Sequence, residues 1–351
     1  MNKRKVNAEI IADSVNPRGE RITTFILTYP RFIHAEVMTH RMFSRNAASS
    51  RAIPHKKMLK SIKDDPFVPI AWQKDHKGMQ GTEYLQGEAV GNRRALWLAA
   101  RDAAILWAEQ LNIGDVTKQI TNRLLEPFMW YTNLVTVTEM ENFFDLRCPK
   151  YHIRDDSKKE VITYKSRKDA TKNYPECSTN TELDWIKFSG SGAEIHIQAL
   201  AESMWDARNE STPNELKAGE WHIPFSDKFN KGRLSELGKY EDVILKIATA
   251  RAARLSYMTF DGEIDYEKDI QLHDMLLKNK HASPFEHCAR AMTNEEYITY
   301  TRGTIELLES EEENEIGYLK IDIEDGSAGW CNNFRGFIQY RYMIDNNQFE
   351  K

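Results

Sequence analysis

Residues 22–51 read ITTFILTYPRFIHAEVMTHRMFSRNAASSR. The first part, residues 22–29, is β-branched and aromatic and is closed by Pro30, which has no N–H for a strand ladder, so it predicts a strand. Residues 31–45 are expected to form a helix leading into the small polar run NAASSR and then Pro54. The end of that helix carries the densest polar cluster in the chain: His40, Arg41, Ser44, Arg45, Asn46, Ser49, Ser50 and Arg51 fall within twelve residues. Arginine forks and serine hydroxyls beside small residues suit a phosphate monoester. A charged helix end with ordinary turn residues has the same composition, and the cluster alone does not separate the two.

Outward from this stretch, residues 62–86 mix Pro, Gly and charge without a period and read as a surface loop. Between Glu88 and Asn112, Leu96, Ala100, Ala103, Trp107 and Leu111 recur at helical spacing, with Gly114 just beyond. Further helices are expected from Thr117 to Leu125, stopping before Pro127, and from Thr138, where Glu141 would complete a capping box. Residues 148–192 are rich in Lys, Asp and Ser, contain the β-like pieces VITYKS and DWIKF, and end in FSGSG, a composition that suits a surface insertion. Helical patterns return at 193–208, 241–255 and 265–280, and the acidic run LESEEENE (308–315) reads as a solvated turn. With no internal repeat and no linker, a single domain over 1–351 is expected.

The balance of 48 Lys and Arg against 53 Asp and Glu, net −5, argues against a general nucleic-acid coat or a binder of anionic membranes, and leaves room for a local basic pocket. Cys148, Cys177, Cys288 and Cys331 form no CxxC, so reduced thiols in a cytoplasmic setting are expected rather than a zinc ribbon or a disulfide framework. No window reaches the length of a membrane span.

Other residues with chemical potential stand apart from the cluster. Arg123 in TNRLLEPF and Arg147 in ENFFDLR sit among apolar residues, and each needs an anion or a carboxylate such as Glu126, Asp145 or Glu141. The stretch HASPFEH (281–287) lacks a usual zinc spacing and reads as a loop entering a strand, with Ser283 and Glu286 offering hydrogen bonds. His196, His222 and His273 stand singly, as structural histidines do. No metal site, dinucleotide fingerprint, Walker A loop or nucleophile elbow is present.

Taken together, the segments resemble the flavin-dependent thymidylate synthases. That family's Arg-His-Arg signature, followed at set distances by a serine and an arginine, is matched by Thr39-His40-Arg41, then Ser49 and Arg51, with Ser44 and Asn46 at its small polar positions. NRLLEPF resembles the family's segment with the phosphate-side arginine, here Arg123, and ENFFDLR resembles its Asn-Phe-Leu-x-Leu-Arg segment, here Asn142 and Arg147. AEIHIQALA resembles a later helix of the family. Residues 250–257 and 265–287 resemble the family's N-terminal part yet follow the rest, so the resemblance is to a circularly permuted member and covers about two-thirds of the chain. Three positions depart from the pattern: Thr39 stands for the first arginine, Glu36 for a glutamine and Ala47 for a glutamate. Gln339 and Arg341, near the C-terminus, are candidates to return a glutamine and an arginine to that place.

The resemblance implies an α+β fold, a bundle of helices packed on a twisted mixed or antiparallel sheet, assembled as a homotetramer with active sites between subunits. It implies FAD, with NADPH as reductant and methylenetetrahydrofolate as one-carbon donor, and conversion of dUMP to dTMP. Arg147 would be the catalytic electrostatic group, and Ser49, Ser50, Arg51, Arg123, Arg147 and Glu36 would hold the deoxynucleotide. His40, Arg41, Ser44, Asn46, Asn142, Ser283 and Glu286 would bind the flavin. Glu36 keeps a second substrate open, because a carboxylate accepts from an exocyclic amine such as N4 of dCMP and repels a carbonyl oxygen; a hydroxymethylated product belongs with that alternative. A flavin- or nucleotide-binding homologue without catalysis, and an interaction module using the basic cluster, also remain open.

Overall fold

The computed structural model describes residues 4–78, 81–155, 159–257, 265–300 and 327–348, and the acidic run 308–315 lies outside them. From the N-terminus come β1 (Asn7–Val15), β2 (Arg21–Pro30), α1 (His34–Met38), β3 (Ser44–Ala47), α2 (His55–Asp64), α3 (Glu88–Ile113), α4 (Lys118–Thr121), β4 (Trp130–Val137) and α5 (Glu141–Arg147). Next are β5 (Tyr151–Asp155), β6 (Glu160–Tyr164), α6 (Arg167–Asn173), α7 (Glu182–Phe188), α8 (Ile195–Glu210), β7 (Asn214–Glu215) and β8 (Trp221–His222). The rest comprises α9 (Lys231–Leu237), α10 (Tyr240–Tyr257), α11 (Tyr266–Lys278), β9 (Ala289–Ala291), α12 (Asn294–Thr299), β10 (Trp330–Cys331), β11 (Phe334–Arg335), β12 (Phe337–Gln339) and α13 (Tyr340–Asp345).

The main sheet has five strands in the order β3-β4-β2-β1-β7, antiparallel except where β7 runs parallel to β1. The β-branched run of the sequence becomes its central strand, with helices on both faces. Phe25, Leu27 and Tyr29 of β2 join Ile197, Leu200 and Met204 of α8 in one core, while Ile26 packs into the opposite core with Leu134 and with Ile244 and Ile247 of α10. Each such side chain fully buried contributes about 1.5–3 kcal/mol, which is why β2 carries β-branched and aromatic residues on both faces. The expected α+β class, helices on a mixed and largely antiparallel sheet, is what the chain builds.

A polar chain crosses the second core. Ser14 bonds Nδ1 of His222, whose Nε2 bonds Thr24; Thr24 bonds Thr136, and Thr136 bonds Nδ1 of His287, each at 2.8–2.9 Å. His222 is thus a satisfied structural histidine, as are His196, between Glu194 and the Ile70 N–H, and His273, between Asp274 and Tyr340.

Several local expectations change. The helix expected over residues 31–45 is a 3-10 turn, the five-residue α1 and then β3, because Ser44–Ala47 finds a ladder partner in Asn133–Thr136. The stretch read as loop from residue 62 begins as the last turn of α2. The helix from Thr117 does not stop before Pro127: Thr117 caps α4, and Asn122–Phe128 continues as a 3-10 helix that includes the proline. Thr138 does not cap α5; its hydroxyl accepts from the Arg335 N–H instead. DWIKF is helical, because Thr181 and Asp184 close a capping box at the start of α7. In α3 the helix is as expected, but Leu96 and Trp107 of the helical repeat are 62% and 61% exposed, and the side buried in the core is that of Ile105 and Ala108.

Candidate functional site

Four segments that are distant in sequence meet around β3. The turn before it presents Thr39 and His40. Arg147, the last residue of α5, donates from Nε to Nε2 of His40 at 3.0 Å and from a terminal nitrogen to Oγ1 of Thr39 at 3.4 Å. Phe143 and Phe144 anchor α5 in the core, and Arg147 lies one turn beyond Phe143. The His40 ring stands edge-on to Phe143, with centroids 4.7 Å apart, and tilts against Phe43 at 5.7 Å. Burial, with the cations of Arg147 and Arg45 beside it, drives His40 down to about 4, so the ring is neutral near pH 7. Neither of the acids expected as partners reaches Arg147: Asp145 pairs with Lys165 and Glu141 with Arg208. Among the described residues Arg147 has no ion pair.

The next residues of β3 hold segments from the C-terminal third. Ser44, buried, accepts from Asn333 at 3.1 Å and from Gln339 at 3.2 Å. Asn46 donates to the Ala252 carbonyl of α10, and its Oδ1 accepts from Ser283 at 3.3 Å, which brings the SPFEH turn against the signature segment within one chain. Glu286 of that turn is ion-paired with Arg341. Gln339 and Arg341 are therefore in the neighbourhood of the signature, Gln339 fully buried and locked by Asn332 and Asn333. Arg41 and Ser283 are exposed beside this group and Asn142 is exposed on α5, while Oε2 of Glu36 is buried with no hydrogen-bond partner among the described residues.

A second group forms where β3 runs out. Ser50 donates to Glu126, which also pairs with Arg123 at 3.2 Å and faces Arg31 at 3.8 Å. The structural partner open to Arg123 in the sequence is the one it takes. Asn122 fixes this turn through the carbonyls of Ser50 and Ile53. The Ser49 carbonyl accepts from the N–H groups of Ala52 and Ile53, its hydroxyl makes no hydrogen bond among the described residues, and Arg51 is exposed. No hydrogen bond or ion pair links the two groups among the described residues: Ser44 pairs with Thr136 near the end of β4, whereas Ser50 lies in the turn after β3 and is held by Glu126.

Sequence reasoning missed the carbonyl of Ala252, the role of Glu126 as a hub, and Asn333 as a ligand of Ser44. Only Glu126, three residues from Arg123, carried a local signal. No thiol is available nearby. Cys148 follows Arg147 but is buried and its pKa is pushed up, and burial pushes Cys288 up to about 12. Among the described residues no group of His, Cys, Asp and Glu is arranged to hold a metal ion, and no helix is long and apolar enough to cross a membrane.

No protein-family model matches the chain, and no curated protein matches its sequence. Among solved structures the chain is similar to the UMP/dUMP methylase PolB from Streptomyces cacaoi. With PolB bound to 5-Br UMP it shares 16% identity at a TM-score of 0.40, covering 59% of this chain and 90% of that one. With PolB bound to 5-Br dUMP the identity is 14% at a TM-score of 0.40, covering 59% and 92%.

Proposed function

We propose that the chain is a flavin-dependent enzyme that methylates C5 of a pyrimidine deoxynucleotide, dUMP to dTMP, with methylenetetrahydrofolate as one-carbon donor and NADPH as reductant. The observation that carries this reading is Arg147. It is a half-buried guanidinium held against Thr39 and His40 by neutral acceptors, without a carboxylate partner among the described residues to quench its charge. C5 of uracil is a weak nucleophile, and no low-pKa thiol stands by to add at C6. Negative charge that builds on the ring must be stabilised electrostatically, which a fixed cation does and a base-less arginine does without exchanging a proton.

Arg41, Asn142 and Ser283 supply exposed cationic and polar groups, the donor set that a flavin dinucleotide with its pyrophosphate requires. His40, Ser44, Asn46 and Glu286 stand behind them. When bound, FAD supplies the hydride chemistry. Ser49, Ser50, Arg51 and Arg123 hold the 5′-phosphate; Ser50 and Arg123 exchange their contact with Glu126 for it. Arg147 contacts the turn before β3 and the phosphate group follows β3; a homotetramer with shared sites, as the family resemblance implies, completes the pocket. The exposed stripe of Leu96, Ala100, Ala103, Trp107 and Leu111 on α3 offers an apolar face for such assembly. The order of the motifs is that of a permuted chain, with 148–192 as the insertion.

The absorbance spectrum of the purified protein and NADPH-dependent transfer of labelled carbon to dUMP test the reading. A colourless protein that leaves dUMP unchanged overturns it. Arg147→Lys is expected to keep the flavin and lose most turnover; a near wild-type rate removes Arg147 from the catalytic role.

A second substrate is favoured by one observation. Oε2 of Glu36 is buried and lacks a donor among the described residues, and the 4-amino group of dCMP would provide one where the O4 of dUMP would repel it. Tritium release from C5-labelled dUMP and dCMP, measured side by side, decides between them.

A further inference from the structure

We infer that His40, assisted by Thr39, is the positioning residue of Arg147: it fixes the direction of the guanidinium while leaving its charge unpaired. The ring geometry carries the argument. An arginine only donates, so the 3.0 Å contact from its Nε requires a lone pair on Nε2 of His40, and the ring must be the neutral tautomer with its proton on Nδ1. Phe143 and Phe43, themselves 5.0 Å apart, pack together against one side of the ring and restrict its rotation. Thr39 donates to the Glu36 carbonyl at 2.6 Å, which turns an oxygen lone pair toward the second Arg147 nitrogen. Two of the five guanidinium N–H groups are thereby taken, and the other three have no partner among the described residues.

A carboxylate in the place of His40 would orient Arg147 equally well but would neutralise it. The two acids on its own helix are occupied instead, Glu141 by Arg208 and Asp145 by Lys165. The cations that face His40, Arg147 from α5 and Arg45 from β3, both favour the neutral ring. The place where the signature carries threonine rather than arginine has the same logic: a cation at residue 39 would repel Arg147, whereas a hydroxyl accepts from it.

The inference rests on the proposed function for its kinetic arm only. The spectroscopic arm uses the intact protein without turnover. Long-range proton–nitrogen spectra of histidine-labelled protein are expected to show the His40 ring as the Nδ1–H tautomer across the neutral range, and Arg147→Gln is expected to release it to a mixture of tautomers. An Nε2–H or doubly protonated ring in the wild type overturns the inference. In the kinetic arm, His40→Ala is expected to lower kcat about ten- to a hundredfold, the worth of a lost hydrogen bond to a charged group, with the nucleotide KM within about twofold. His40→Gln, whose amide oxygen reaches the position of Nε2, restores most of the rate, and His40→Asn, which is one bond shorter, does not. Equal loss in the Gln and Ala variants, or no loss in either, overturns the inference. A wild type that binds no flavin and methylates nothing refutes the functional reading and leaves the ring spectra to decide this one.

Discussion

Arg123 separates a structural role from a binding role by magnitude. Its side chain is 50% exposed and its contact with Glu126 is an i,i+3 pair at 3.2 Å. Exposed pairs of this kind contribute about 0.3–0.5 kcal/mol. Arg123→Ala should therefore cost less than about 1 kcal/mol and lower Tm by roughly 2 °C at most in a chain of this size. As a phosphate ligand the same guanidinium contributes about 1.5–3 kcal/mol, which is roughly a ten- to 150-fold rise in nucleotide Kd. Glu126 gives the opposite sign. Its carboxylate draws on Ser50, Arg123 and Arg31, and competes with an incoming phosphate. Glu126→Gln keeps an oxygen for Ser50 but removes the charge, so nucleotide binding should tighten. The assay is calorimetric titration of the flavin-loaded protein with nucleotide, beside thermal melts of each variant. A Kd changed less than about twofold in Arg123→Ala, or weaker binding in Glu126→Gln, would refute the assignment; a fall in Tm well beyond about 2 °C would refute the stability argument.

Two further outcomes follow from the packing. Burial holds His40 and His222 at about 4 and His287 at about 3, while in the unfolded chain each ring titrates near the free-histidine value of 6.5. The unfolded state thus binds protons that the folded state refuses, so stability should fall as pH drops from about 6.5 toward 4, by up to about 1.4 kcal/mol per pH unit for each ring. Urea midpoints that stay level between pH 7 and pH 5 would contradict this. On α3, Trp107→Glu places a charge on a side chain that is 61% exposed. The variant should fold normally yet sediment as a smaller species, because each large side chain buried at an interface contributes about 1.5–3 kcal/mol; an unchanged sedimentation coefficient would remove the stripe from the assembly.

How much of this was legible differs from element to element. β2 and the long helices α3, α8, α10 and α11 announced themselves, since a β-branched run or a helical repeat is a property of neighbouring residues. β3 did not: Ser44–Ala47 is short and polar, and only pairing with Asn133–Thr136, almost ninety residues on, makes it a strand. DWIKF alternates like a strand, but the capping box that Thr181 and Asp184 close is the stronger local signal. Arg123 and Glu126 are close enough in sequence for their pairing to be anticipated, whereas the partner of Arg147 is 107 residues away.

The chain on its own already specified the residue types of the candidate site, the helix that carries Arg147 and the absence of a reactive thiol motif, and its family resemblance implied the α+β class. Tertiary structure alone decided that His40 faces Arg147, that Ser283 lies on Asn46, and that Glu126 holds Ser50 with Arg123. The reason is physical. Periodicity and capping depend on contacts a few residues apart and are written in the order of the chain. A hydrogen bond between segments from both ends depends on how a sheet orders its strands and which helices cover them, and that order is set by the burial of the whole core.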